Sequence, residues 1–156
     1  MLIWGRSAEP ADRHKAVRCY EETLRQCERS IALAGDEVEA RFLKGLALTG
    51  LARMSTAELA IKHLGRALTA LDEMLTRAPD DVDGRYEKGR ALHELAKLEV
   101  AASKRSQAAR IARNASREFA RARELAPSDV RIARAEEELQ KTLTESDSSS
   151  RVTSHR

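Results

Sequence analysis

Proton transfer and metal binding on a helical scaffold need histidines, cysteines or carboxylates brought together at short helical spacings. The four histidines, His14, His63, His93 and His155, form no HxxxH or HExxH pattern. The two cysteines, Cys19 and Cys27, lie eight positions apart without a CxxC, which supports neither a zinc site nor a disulfide framework. The seven glycines are scattered, and none belongs to a GxGxxG or GxxxxGK phosphate loop. The carboxylates fit helix caps and i,i+4 pairs with Lys or Arg. No nucleophile stands beside a base. These residues point away from an enzyme, a cofactor or a metal. His93 falls on the inner face of its helix and reads as a structural or partner-contacting residue. Cys27 falls on an apolar stripe, and Cys19 falls off it.

One charged feature stands out. Between Lys104 and Arg123 there are seven cations, Lys104, Arg105, Arg110, Arg113, Arg117, Arg121 and Arg123, and one acid, Glu118. At about 100° per residue, Arg110, Arg117 and Arg121 share a narrow arc with Arg113 beside it. The arc faces away from Ile111, Ala115 and Phe119. Three readings stand side by side: a solvated helix face, a dock for an acidic partner, and a contact to a nucleic-acid backbone. Aromatic residues interleaved for base stacking are missing.

The elements that must carry these residues are helices. Aromatics are 3% of the 156 residues, so the core has to be built from Ala, Leu, Ile and Val. Ala and Leu are also the best helix formers. Only Pro10, Pro79 and Pro127 interrupt the chain. Val17, Tyr20, Leu24, Cys27, Ile31 and Ala34 follow one helical stripe, which predicts a first helix over 10–34. Gly35 suits its C-terminal cap, and Asp36 with Glu39 suits the start of the next helix, over about 37–52. Ser55 with Glu58 reads as a capping box for the third helix, which Pro79 stops. Asp80 or Asp81 caps the fourth, and Ser128 or Asp129 caps the sixth. Ser103 to Ser106 reads either as a break before the fifth helix or as continuous helix. The segment 1–9 precedes the helical domain of 10–143, and the Ser-rich 144–156, with one apolar residue, reads as a disordered tail. The four-residue apolar run at the N-terminus is too short for a signal peptide or membrane span. Unpaired thiols suit a cytoplasmic setting. A net charge of +3 is nearly balanced and does not by itself imply nucleic acid.

The sequence also repeats itself. Ala34-Gly35-Asp36-Glu37-Val38, Ala78-Pro79-Asp80-Asp81-Val82 and Ala126-Pro127-Ser128-Asp129-Val130 recur at intervals of 44 and 48 residues. Arg41-Phe42-Leu43-Lys44-Gly45-Leu46-Ala47-Leu48 matches Arg85-Tyr86-Glu87-Lys88-Gly89-Arg90-Ala91-Leu92 at five of eight positions. This arrangement resembles the tetratricopeptide repeat, in which antiparallel helices A and B alternate. Gly45 and Gly89 match the small residue of helix A. Ala67 and Ala115 match the first small position of helix B, Leu71 and Phe119 its bulky one, and Met74 and Ala122 its second small one. Pro79 and Pro127 match the closing proline. The units exceed the family's 34 residues, and Arg41 and Arg85 stand where a Trp is usual. The Gly and Pro positions favour this family over HEAT and armadillo repeats, and a plain helical bundle is the simpler alternative.

The resemblance implies an all-α fold of about six helices, stacked as a right-handed superhelix of antiparallel pairs. It also implies a scaffold or adaptor that binds a protein or peptide segment on the concave side of the A helices. The groove positions it marks are Glu39, Phe42, Leu46 and Thr49, then Asp83, Tyr86, Arg90 and His93. Phe42 and Leu46 do not match the family's carboxylate clamp. About two full units are visible with half a unit at each end, so either the flanking helices cap the array or the chain forms a homo-oligomer, with Leu2, Ile3 and Trp4 as the joining surface. The alternative function is binding of nucleic acid or an acidic partner through Lys104, Arg105, Arg110, Arg113, Arg117 and Arg121.

Overall fold

The computed structural model describes residues 10–35 and 37–152, with side chains through residue 147. The segment 1–9, with Leu2, Ile3 and Trp4, and the Asp36 cap lie outside the described residues. The protein is all-α. Six helices follow in order: α1 (Pro10–Ala34), α2 (Val38–Arg53), α3 (Ala57–Arg77), α4 (Val82–Ala101), α5 (Arg105–Leu125) and α6 (Val130–Val152). No strand occurs among the described residues.

Each helix packs on the next in sequence, and the connections are too short for anything but an antiparallel return. Two further contacts join α2 to α4 and α4 to α6. Among the described residues the backbones of α1 and α3, and of α3 and α5, do not come close, and α1 meets α3 through the Arg66–Glu28 ion pair at 3.1 Å. The even helices therefore lie side by side in one layer.

The core is two linked clusters. One gathers Ala52, Ala60, Leu64, Leu71 and Ala91 between α2, α3 and α4. The other gathers Leu92, Ala96, Ile111, Ala115, Phe119, Ile132 and Leu139 between α4, α5 and α6. Leu68 and Leu95 pack against both. Two glycines show why the helices come so close. A Cβ at Gly45 would lie 2.8 Å from Leu71 Cγ, and one at Gly89 would lie 2.5 Å from Phe119 Cε1. Leu71 and Phe119 are fully buried, each contributing about 1.5–3 kcal/mol by burial. The glycine of one helix and the bulky residue of the next thus interlock twice, in α2–α3 and again in α4–α5.

Ion pairs recur at matching positions of α2 and α4. Lys44 Nζ lies 3.6 Å from Glu28 and Lys88 Nζ 2.8 Å from Asp72, which joins each of these helices to the one before it. Arg41 donates to the Gly35 carbonyl at 2.6 Å and Arg85 to the Pro79 carbonyl at 3.0 Å. Each arginine also reaches a carboxylate on the following helix, Glu73 for Arg41 and Glu118 for Arg85. The arginines thus tie the start of their helix to the turn before it and to the helix after it.

The helix ends differ from expectation in two places, and one open alternative is decided. Ser55 forms no capping box. Thr56 is the N-cap of α3 and accepts no side-chain bond, while the Ser55 hydroxyl donates back to the Leu51 carbonyl at 2.7 Å. The chain does break between α4 and α5. Ser103 takes φ 61°, Lys104 N–H donates to Glu99 O and Ser103 N–H to Val100 O, a Schellman ending with serine in glycine's usual place. Finally, α6 does not stop near Leu143, and 153–156 of the expected tail lie outside the described residues. The helix continues to Val152, because Leu139, Thr142 and Ser146 keep turning the same face inward, and all three are buried. The expected caps at Gly35 (φ 66°) and Asp81, whose carboxylate accepts from Gly84 N–H at 2.7 Å, are present.

Candidate partner-binding groove

The even-numbered layer opens along a seam between α4 and α6. It forms a groove of about 540 Å³ with Tyr86, Arg90 and His93 along one wall and Arg131, Arg134 and Thr142 along the other. Helical spacing places Tyr86, Arg90 and His93 on one face of α4. Arg131, Arg134, Glu138, Lys141 and Glu145 recur at three and four residues along α6 in the same way.

Tyr86 is the floor at one end. Its ring lies 6.1 Å from the Phe119 ring, so it rests on the core. Arg131 sits over it at 4.9 Å and Arg90 at 5.6 Å, both within cation–π range. Asp83 holds Arg131 at 2.9 Å and Glu87 holds Arg90 at 3.3 Å. Bonds from Asp129, then Asp83, raise the Arg131 pKa and keep it charged.

His93 is the polar bridge at the other end. Its Nε2 lies 2.8 Å from the buried Thr142 hydroxyl, joining the walls. Burial, helped by the Lys97 cation, lowers its pKa. Neutral imidazole is thus the favoured form, able to share one hydrogen bond with the hydroxyl. Of the five cations that line the groove, Arg90, Lys97, Arg131 and Lys141 pair with acids. Arg134 is exposed and makes no ion pair among the described residues.

The eight expected groove residues do not converge. Tyr86, Arg90 and His93 do, and Asp83 supports them through Arg131. The α2 set is scattered. Phe42 packs against the α2–α3–α4 core cluster. Thr49 is buried, and its hydroxyl donates to the Gly45 carbonyl at 2.9 Å. Leu46 is half-buried, and Glu39 borders a separate cleft between α1 and α2. The physical difference is side-chain type. Phe42 and Leu46 are apolar where Tyr86 and Arg90 are amphipathic, so the α2 residues settle into the layer while those of α4 keep polar ends at its surface. The sequence reading missed the α6 wall. The signal for it is the spacing of Arg131, Arg134, Glu138, Lys141 and Glu145 along one face of α6.

The basic residues of the fifth helix are exposed. Lys104 is its N-cap rather than part of it. Arg121 is tied to Asp80 at 2.9 Å and Glu124 at 3.0 Å. Cys27 is buried, which pushes its thiol pKa up, while Cys19 is exposed, and both are free thiols. Among the described residues, no cluster of three His, Cys, Asp or Glu side chains is placed to hold a metal ion. No helix among them is long and apolar enough to cross a membrane. No protein-family model matches the chain, and no curated protein does.

Proposed function

We propose that this chain is a non-enzymatic binding scaffold of tetratricopeptide-repeat type, a right-handed stack of helix pairs that holds a segment of a partner protein in the groove between α4 and α6. The observation that carries this reading is the groove itself. It sits in the layer of even helices, and it combines an aromatic floor with side-chain donors along both walls. A partner segment needs such a site: an apolar anchor surface with a few polar groups to fix its orientation. The repeated Gly-on-bulky interlock supports the repeat assignment, because it recurs at the intervals seen in the sequence. A cytoplasmic location fits free thiols.

A displayed library of random dodecapeptides, selected on the intact chain, tests the proposal. Selected peptides should lose at least tenfold affinity for Tyr86→Ala/Arg90→Glu. Because Tyr86 also touches the core, the exposed variant Arg134→Glu is the companion, and acidic peptides should lose affinity for it as well. Selected peptides indifferent to both variants would refute the groove as the site.

A further inference from the structure

The seam between α4 and α6 leaves a strongly basic surface of the molecule unused. On α5, only Phe119 reaches that groove, and it does so from the core side. The opposite face of α5 is different in kind. From Ala101 to Arg117 the chain has no Asp or Glu. Arg110, Arg113 and Arg117 are exposed, lie within roughly a 60° arc and span about 10 Å of helix. They form no ion pair among the described residues, and neither do Lys104 and Arg105 at the helix start. The next acid, Glu118, is already held by Arg85 and Lys88, both at 3.0 Å. On α4, by contrast, Arg85, Lys88, Arg90 and Lys97 are each matched by a carboxylate.

We propose that this face of α5, from Ser103 to Arg117, binds the phosphate backbone of a nucleic acid. The exposed neutral side chains beside and between the cations are hydrogen-bond donors, Ser103, Ser106, Gln107, Asn114 and Ser116. Arg, Lys, Ser, Asn and Gln are the side chains that contact phosphate oxygens. No large apolar side chain is exposed among them. A protein partner needs such an anchor to form a desolvated interface centre. A polyanionic strand needs only charges and donors. No aromatic is exposed on this face for base stacking, so binding rests on charge and donors to the phosphates.

The test is fluorescence anisotropy of a labelled 20-nucleotide DNA of mixed sequence, single-stranded and duplex, titrated with the full chain at 50 and 200 mM salt. With three to five phosphate contacts, duplex affinity should fall about 40- to 500-fold between the two salts. Arg110→Gln/Arg113→Gln/Arg117→Gln should bind at least tenfold more weakly with a flatter salt slope. The corresponding triple Lys variant should retain binding, which separates loss of charge from loss of fold. No binding at 50 mM salt, or equal binding by the triple Gln variant, would overturn the proposal. So would polyglutamate competing better than unlabelled DNA at equal charge, an outcome that assigns the face to an acidic protein.

Discussion

At the residue scale, glycine has opposite values at different positions. Gly65 lies within α3 with open space around it, and Gly89 lies under Phe119. Gly65→Ala should stabilise the chain by about 1 kcal/mol through helix propensity alone. At Gly89 the same gain meets about 1–3 kcal/mol of overpacking, so Gly89→Ala should lower stability. Urea unfolding of both variants checks the contrast in sign. His93 is the other decisive residue. Its pKa is lowered in the fold, so the unfolded chain takes up a proton first as pH falls. The stability due to neutral His93 is present above about pH 6.5 and is lost as pH drops through the folded pKa. His63, also lowered by burial, acts in the same direction. Thermal unfolding at pH 7.5 and 5 should show a smaller pH-dependent loss for His93→Leu than for the wild-type chain.

At the element scale, the helices themselves were largely legible in the sequence. The first helix has the bounds its stripe and Gly35 implied, and Pro79 and Pro127 stand just past α3 and α5. Those signals are local: a stripe, a cap, a residue that cannot continue a helix. What was not legible depended on packing. That α6 runs past Leu143 follows from Ser146, a small polar residue that composition assigns to the tail but that sits buried in the fold. The α2 positions of the expected groove failed to converge because neighbouring apolar surface was available to Phe42. The turn between α4 and α5 was ambiguous because serine does the work usually given to glycine. With φ 61° at Ser103, Ser103→Gly should stabilise the chain by about 1 kcal/mol, readable in chemical denaturation.

At the scale of the whole molecule, the repeat proposed above would treat α6 differently from α4. Carrying the 48-residue interval from α4 to α6 puts Glu137 where Gly89 stands and Glu136 where Lys88 stands. Another helix could not settle over Glu137 as α5 does over Gly89. The outer face of α1 carries Arg18, Glu22, Arg25 and Arg29, all exposed, with Leu33 an isolated apolar residue at 87% exposure. Among the described residues, the outer faces of α1 and α6 are therefore polar, which under the proposed repeat reading suits capping helices. Light scattering across a wide concentration range should find a monomer, favouring capping over self-assembly through the N-terminal apolar residues.

The groove links these scales: Gly89 seats Phe119, Phe119 supports Tyr86, and α6 closes the second wall. Backbone amide shifts of the chain titrated with a selected peptide test that arrangement most directly. The largest changes should fall on α4 around Tyr86, Arg90 and His93 and on α6 around Arg131, Arg134 and Thr142. Changes confined to α1 and α2, with α4 and α6 silent, would contradict it.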